Sequence, residues 1–289
     1  MSKLSIRQPV VAGRFYPGDR TSCIKQIEHC LPAAPSLDVP DNIVAGLAPH
    51  AGWTYSGAAA AKVFAAIRAQ GTPETFVILS AAHRRGVPRP AIYASGSWST
   101  PLGEAKVDEE LATAILKAGD GLLIDSPQAH SDEHSVEVQV PFIQHLFPGA
   151  KILPILFPPA TNAARAGEIV GQVVSAAQKR VAIVGTTDLT HYGSAYYFAP
   201  VGAGDQALEW ARTNDERVIN LIRDMRAEEI VGETSEHHNA CGGGAIAGTV
   251  AAARMLGAKK GHLLEYTTSH HVMPRGPATN FVGYAAMVF

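Results

Sequence analysis

Side chains of the kinds that bind metal ions stand at four places where apolar segments end or helices begin. They are His50, His83, the pair Asp188 and His191, and Cys241. Imidazole and thiolate groups together suit zinc, iron or copper, and they suit magnesium or calcium poorly. Two histidines and one anionic ligand, with open positions left, form the pattern of non-heme iron oxygenases. None of the spacings is a compact motif such as Cys-x-x-Cys, so spacing alone does not select the ligands.

Each of these side chains also has a purely structural interpretation. His50 could be a hydrogen-bonded core residue, and His83, beside Arg84, could belong to a basic loop that is solvated or binds an anion. Thr187 or Asp188 could cap a helix, with His191 near its first turn. Cys241 could be a small buried side chain where backbones pack closely, although the dipole at a helix N-terminus favours the thiolate of a cysteine there.

A hydrolase is a rival interpretation of the same residues. Cys241 and His191 supply the thiolate and the imidazole that nucleophilic catalysis requires. The Gly-x-Ser-x-Gly elbow of α/β-hydrolases and the Walker A lysine motif are both absent from the sequence. The glycine-rich stretches at 202–204 and 242–244 lack the preceding strand that a dinucleotide fingerprint needs. A Cys241-dependent hydrolase therefore stays an alternative.

Short apolar segments alternate with helical ones along the chain. Strands are predicted at 43–47, 75–80, 91–94 (an edge strand), 122–125, 152–157, 181–185, 263–267 and 281–288. Helices are predicted at 22–31, 58–68, 109–118, 162–178 and 203–226, and at the small-residue segment that Cys241 opens. This alternation predicts an α/β protein whose mostly parallel sheet is covered on both faces. Because ligands bind beyond the carboxyl ends of the strands in such sheets, His50 is well placed for a site.

The segment 132–143 carries further groups of interest. It is predicted as an amphipathic helix that Pro141 kinks or ends. In the structural interpretation Glu133 caps this helix or forms a salt bridge, while His134 and Glu137 lie on its solvent face. Elsewhere, a proline-rich linker is predicted to follow the first helix as far as residue 40.

Composition excludes several classes of protein. A formal net charge of −2 argues against nucleic-acid binding, and no apolar run approaches the roughly 18 residues that would span a membrane. The N-terminal residues lack the hydrophobic stretch of a signal peptide, and three cysteines do not make a disulfide framework. These features predict a soluble cytoplasmic protein.

Several stretches of the sequence resemble the Memo family, whose prokaryotic members are called AmmeMemoRadiSam system protein B. The matching stretches are 11–17, 49–57, 132–142, 187–193, 240–242 and 282–286. They run in order over nearly the whole chain. The family is similar to class III extradiol dioxygenases, which bind non-heme iron. The resemblance implies one domain over residues 1–289, with a three-layer α/β/α fold and a mixed, mostly parallel central sheet.

The resemblance also implies roles for individual residues. His50, His83 and Cys241 would be the metal ligands, His191 would match the catalytic base, Asp188 would lie close by, and His134 would line the same pocket. The metal would be Fe(II), with copper or zinc as alternatives. A functional link to a radical SAM protein and to an AMMECR-type protein is implied as well.

The chain departs from the family pattern at three places. Ser80-Ala-Ala-His83 replaces Gly-Pro-Asn-His, Gly243 replaces an arginine, and 270–277 does not match. A thiolate also replaces the carboxylate ligand of the dioxygenases. We therefore predict an iron protein that carries out a redox or dioxygenase-type reaction on a small aromatic substrate. The alternatives are a non-catalytic protein that handles metal or binds peptides, and the hydrolase described above.

Overall fold

A computed structural model describes residues 6–33, 39–84 and 86–289, so residues 34–38 of the predicted linker lie outside the described residues. The strands within these ranges are β1 (Ile6–Arg7), β2 (Ala45–Ala48), β3 (Thr75–Ala81), β4 (Ala91–Ile92), β5 (Ser97–Thr100), β6 (Gly103–Lys106), β7 (Ile124–Asp125), β8 (Lys151–Phe157), β9 (Val181–Thr186), β10 (His191–Gly193), β11 (His262–Thr268) and β12 (Asn280–Val288). The helices are α1 (Arg20–Cys30), α2 (Trp53–Ala69), α3 (Glu109–Gly119), α4 (Val140–Leu146), α5 (Ala163–Ser175), α6 (Asp205–Arg223), α7 (Ala227–His237), α8 (Gly243–Met255) and α9 (Ser269–Val272).

The main sheet has a parallel centre and antiparallel flanks. Its strand order is β10-β12-β2-β9-β3-β8-β4-β7, and β11 pairs with residues 283–288 of β12. Strands β2, β9, β3 and β8 are parallel neighbours, whereas β12 runs antiparallel to β2 and β4 runs antiparallel to β8. Every residue of β2 and β3 is buried, which explains why both strands are mostly apolar rather than alternating, with Thr75 and Ser80 the two hydroxyl residues of β3.

Helices cover both faces of this sheet and complete the predicted three-layer α/β/α fold. Helix α2 packs on β2 and β12 together with α1 and α4, and α8 packs on β9 and β3 together with α5 and α7. Glycines on two neighbouring strands lie against helices on opposite faces of the sheet. A Cβ atom at Gly46 would meet Val63 of α2, and one at Gly185 would meet Thr249 of α8. None of the helices in the described ranges is long and apolar enough to cross a membrane.

The predicted helix over 132–143 is wrong in its first half. Residues 132–136 are turns and irregular backbone, a 3-10 turn follows at Glu137–Gln139, and Pro141 lies in the first turn of α4. Proline fits that position because its missing N–H would have had no partner within the helix. Glu137 is fully buried, not exposed, and its carboxylate lies 2.7 Å from the guanidinium of Arg7. The proline therefore begins a helix instead of ending one.

Several other elements differ from the predictions in smaller ways. Strand β4 is not an edge strand, because it pairs with β8 on one side and β7 on the other. The sequence did not predict α7, α9, the hairpin of β5 and β6, or the short strand β10. Asp108 caps α3, and its side chain accepts a hydrogen bond from the backbone N–H of Leu111.

Candidate metal centre

The candidate ligands meet beside the carboxyl ends of three parallel neighbouring strands. His50 lies two residues beyond the end of β2, and His83 lies two residues beyond the end of β3. Strand β9 runs between these two strands. Cys241 lies just before α8, and each of the three side chains offers a donor atom within 4.8 Å of the other two. Residues far apart in sequence thus bring two imidazoles and a thiol together.

The ring of His50 is buried and hydrogen bonded on one side. Its Nδ1 lies 2.8 Å from Oγ1 of Thr186, and its Nε2 lies 3.2 Å from Sγ of Cys241. Burial, together with the nearby His83 and His134, lowers the pKa of His50 well below its usual value. The ring is therefore neutral near pH 7, and Nε2 faces the other donors.

The ring of His83 is bound by the buried carboxylate of Glu133. Its Nδ1 lies 2.9 Å from Oε1 of Glu133, and its backbone N–H donates to Oε2 at 2.9 Å. Partial desolvation by neighbouring groups opposes the charge on His83, whose side chain is 34% exposed, but hydrogen bonds to Cys241 and Glu133 outweigh it and raise the pKa of His83 to about 10. Burial likewise opposes the charge on Glu133, while the bonds from His83 and Ser135 prevail and lower its pKa.

Both imidazoles therefore use Nδ1 in hydrogen bonds and leave Nε2 for another partner. Metal-ligating histidines commonly have this arrangement, in which the second nitrogen donates to an oxygen that fixes the orientation of the ring. With the sulfur of Cys241, the donor set fits a transition metal ion and does not suit a hard cation such as magnesium.

Cys241 is held half-buried by the backbone at the end of β9. Its N–H donates to the carbonyl of Asp188 at 3.1 Å, and its Sγ accepts from the N–H of Asp188 at 3.4 Å. The glycines that follow allow this close approach. A Cβ atom at Gly242 would lie 2.8 Å from the carbonyl oxygen of Thr186, and one at Gly244 would lie 2.1 Å from that of Pro158.

Beside the donors is a cavity of about 430 Å³. Its walls include six side chains that bear on its chemistry: Phe15, Tyr55, His134, Asp188, His191 and Tyr196. The predicted residues His134, Asp188 and His191 thus share one cavity. It adjoins the donor cluster, because the ring of His134 stacks on that of His83 with centroids 4.8 Å apart.

The three predicted catalytic residues have different surroundings. Burial lowers the pKa of His134 to about 4, with a further contribution from His83. Burial raises the pKa of Asp188, whose Oδ1 accepts the backbone N–H of His50 at 2.8 Å. His191 is anchored through Nδ1, which lies 3.0 Å from the carbonyl of Leu189, so its Nε2 is the nitrogen left for a ligand in the cavity.

Glu133 and Thr186 are the polar partners of the two rings that the sequence did not single out in this role. His83, Glu133 and His134 form a second group of donors within 4.8 Å of one another. However, the carboxylate of Glu133 already accepts bonds from His83 and from both the N–H and the hydroxyl of Ser135. It acts here as a hydrogen-bond acceptor behind the ligands. The predicted salt bridge of Glu133 is thus present, with His83 as its partner.

The fold and the donor cluster define an α/β/α protein with a candidate two-histidine, one-cysteine metal centre. A family model described as Memo-like protein matches residues 7–288, and the chain belongs to the Memo family. A MEMO1 family protein of Thermococcus onnurineus is 40% identical over 98% of this chain and 99% of its own length. Another from Methanopyrus kandleri is 34% identical over 98% of each chain. The family predicted from the sequence motifs is confirmed.

Proposed function

We propose that the chain is a metal-binding protein in which His50, His83 and Cys241 hold one transition metal ion. The observation that supports this proposal most is the mutual distance of their donor atoms, all within 4.8 Å. Hydrogen bonds at both Nδ1 atoms support it further, since they turn Nε2 of each ring to the centre. Two imidazoles and a thiolate suit Fe(II), which we propose as the ion, with copper or zinc as alternatives.

The activity that the surroundings of the centre support best is a redox or dioxygenase-type reaction on a small aromatic substrate. A bound Fe(II) ion with three protein ligands would supply open positions for oxygen and substrate. The adjoining cavity of about 430 Å³ is the size of a small-molecule site. Phe15, Tyr55 and Tyr196 give it aromatic walls, against which a flat ring can pack.

Three residues of the cavity would handle protons and hydrogen bonds. His191 would accept a proton from a substrate hydroxyl at Nε2, because its Nδ1 is bound to the carbonyl of Leu189. The neutral ring of His134 would donate a hydrogen bond to the substrate. Asp188 would orient the backbone of His50, and its carboxyl group lines the same cavity as His191.

Metal analysis of purified protein tests the ligand set. Wild-type protein purified without chelators is expected to contain about one equivalent of metal, which His50→Ala and Cys241→Ala lose because each removes a donor. Cys30→Ala is a matched control, since Cys30 is a buried thiol in α1, outside the donor cluster. If the two donor variants retain as much metal as the control, the ligand set is wrong.

Oxygen uptake tests the activity. Protein reconstituted anaerobically with Fe(II) is expected to consume oxygen with at least one catechol or small aromatic compound. His191→Ala should retain iron and lose that consumption, because it removes the proton acceptor and no metal ligand. If no compound of the panel causes uptake, the dioxygenase-type activity is refuted.

Non-catalytic metal handling is a second candidate function, and the thiolate donor of Cys241 favours it because soft sulfur ligands retain copper and zinc well. Stable metal content without oxygen consumption would support it, and binding of a peptide by the metal-free Cys241→Ala variant would extend it to peptide binding. Co-purification with a radical SAM protein or an AMMECR-type protein would test the proposed partners.

The hydrolase alternative predicts that iodoacetamide labels Cys241 selectively, and that His191→Ala abolishes this labelling.

A further inference from the structure

Buried hydrogen bonds connect the two candidate imidazole ligands behind the metal centre. From His50 Nδ1 the path runs 2.8 Å to Oγ1 of Thr186, and from there 2.9 Å to Oγ of Ser80. Ser80 donates to Oγ of Ser135 at 2.5 Å. Ser135 donates to Oε1 of Glu133 at 2.7 Å. We call Thr186, Ser80 and Ser135 the hydroxyl chain.

The hydroxyl chain ends on the carboxylate that also holds the second ring. Oε1 of Glu133 lies 2.9 Å from Nδ1 of His83. One imidazole thus reaches Glu133 directly, and the other reaches it through three hydroxyl groups. The three hydroxyl residues come from separate segments, namely the end of β9, strand β3 and the turn before α4.

Burial makes the direction of these bonds well defined. Thr186, Ser80 and Ser135 are each 0% exposed, so water does not compete for their hydroxyls. Each hydroxyl has one hydrogen to donate, and an ionised carboxylate can only accept. Ser135 therefore donates to Glu133, Ser80 donates to Ser135, and Thr186 donates to Ser80. The oxygen of Thr186 is then left to accept the N–H of His50.

One further contact of Ser135 agrees with this direction. Its Oγ also lies 3.2 Å from the carbonyl of Ala81, which is another acceptor. The bond to Glu133 is shorter, at 2.7 Å, and it ends on a charged group. Hydrogen bonds to ionised acceptors are both shorter and stronger than those to neutral ones. Either acceptor takes the hydrogen of Ser135 and leaves its oxygen to accept from Ser80.

We propose that the hydroxyl chain positions His50 as a metal ligand by holding its ring proton on Nδ1. A neutral imidazole carries one N–H, and the nitrogen without hydrogen is the one that can bind a metal. Glu133 holds the proton on Nδ1 of His83 through a direct hydrogen bond, and it holds the proton on Nδ1 of His50 through the hydroxyl chain. The proposal rests on the proposed function, because it concerns two ligands of that metal centre.

Replacement of Thr186 tests the proposal through metal affinity. Thr186→Val removes the acceptor at nearly constant volume and is expected to weaken Zn(II) binding by roughly 10–100-fold, as loss of such partners typically does. Thr186→Ser keeps a hydroxyl and should retain the wild-type affinity. Competition with a chromophoric chelator measures each value.

A matched control separates this effect from the general cost of the substitution. Thr249 is likewise fully buried, and its hydroxyl donates to the carbonyl of Ala245 within α8. Thr249→Val should leave the Zn(II) affinity unchanged. Ser80→Ala interrupts the hydroxyl chain one bond further from the ring, so it provides the same test if Thr186→Val does not fold.

The position of the proton on His50 is a second, independent measurement. In metal-free wild-type protein the imidazole ¹⁵N shifts should show hydrogen on Nδ1, and Thr186→Val should move population to the other tautomer. Hydrogen on Nε2 in the wild type would overturn the proposal.

The two measurements also separate this proposal from the proposed function. If the wild type binds Zn(II) and Thr186→Val binds it equally tightly, the role of the hydroxyl chain is refuted and the metal centre stands. If the wild type binds no metal, the proposed function fails, and the tautomer of His50 still decides whether the hydroxyl chain holds the proton.

Discussion

His83 lies between a carboxylate and a thiol, and both favour its cationic form. Hydrogen bonds to Cys241 and Glu133 overcome partial desolvation and raise the pKa of His83 to about 10. A metal ion that binds Nε2 must displace the proton there, so binding competes with protonation at every pH below that value. The apparent affinity for Zn(II) should therefore rise with pH, by at least about tenfold per unit between pH 7 and 9.

Competition titrations at pH 7, 8 and 9, corrected for the protonation of the chelator, measure this dependence. Glu133→Gln removes the charge that stabilises the cation, so the pKa of His83 should fall and the dependence over this range should become shallower. An affinity for the wild type that is constant from pH 7 to 9 would contradict the prediction.

At the level of single residues, the sequence predicts donor types better than their hydrogen bonds. His50 and His83 could be found because each follows an apolar strand. The choice of ring nitrogen could not be predicted, since it depends on Thr186 and Glu133, which meet the rings only in the folded chain. The surroundings of Gly243 also leave little room for a side chain. A Cβ atom there would lie 2.1 Å from Oγ1 of Thr234 in α7.

Among the helices, α5 and α8 approach each other so closely that glycine is required between them. A Cβ atom at Gly167 of α5 would lie 2.1 Å from the carbonyl oxygen of Gly248 in α8, and backbone cannot move aside as a side chain can. Gly167→Ala should therefore destabilise the protein by about 1–3 kcal/mol, the usual cost of overpacking. Urea unfolding measures the change.

Gly232 in α7 provides the matched control. A Cβ atom there would meet nothing within 4 Å, so the substitution encounters no steric conflict. Gly232→Ala should stabilise the protein by about 0.5–1 kcal/mol, because alanine favours the helix more than glycine does. Equal effects of the two substitutions would show that helix propensity alone, and not the close contact of α5 with α8, determines the result.

At the level of secondary structure, the mostly apolar strands and the amphipathic helices could be predicted from sequence. Strands β3, β8 and β9 lie within one or two residues of their predicted ends. Strand β10 was missed because it has only three residues, His191–Gly193, and is defined by its pairing with β12. The helix start at Pro141 was missed because a proline ends a helix or begins one depending on the residues before it.

At the scale of the whole molecule, Asp215 joins a helix to strands β11 and β12 and to the residue just before β10. It lies in α6, its Oδ1 accepts the N–H of Thr190 at 2.9 Å, and its Oδ2 accepts the hydroxyl of Tyr266 at 2.9 Å. The same carboxylate faces β12, where a Cβ atom at Gly283 would lie 2.2 Å from Oδ2. Burial raises the pKa of Asp215 to about 7, although the bonds from Thr190 and Tyr266 oppose the shift.

This shift predicts how global stability changes with pH. The carboxyl group has a pKa of about 3.9 in an unfolded chain, so between that value and pH 7 the folded state keeps a proton that the unfolded state has lost. The contribution of Asp215 to stability is therefore greatest at low pH and declines as pH rises to about 7. Above the folded pKa the contribution is constant.

Asp215→Asn tests this prediction, because an amide does not titrate, its oxygen can still accept the N–H of Thr190, and its NH2 group can donate to the hydroxyl oxygen of Tyr266. Urea unfolding of both proteins at pH 5, 6, 7 and 8 gives the difference between their free energies of unfolding. The contributions of the other ionisable groups cancel in that difference. The wild type should lose stability relative to Asp215→Asn as pH rises from 5 to 7. A difference that is independent of pH would contradict the raised pKa.

The order of strands in the main sheet constrains how the protein is made. The ribosome releases His50 and His83 long before Cys241, and β12, the last described strand along the chain, pairs with both β10 and β2. A nascent chain that stops short of these segments carries two of the three donors and an unfinished sheet. An ion held by all three candidate donors could therefore bind only after translation has passed the thiol.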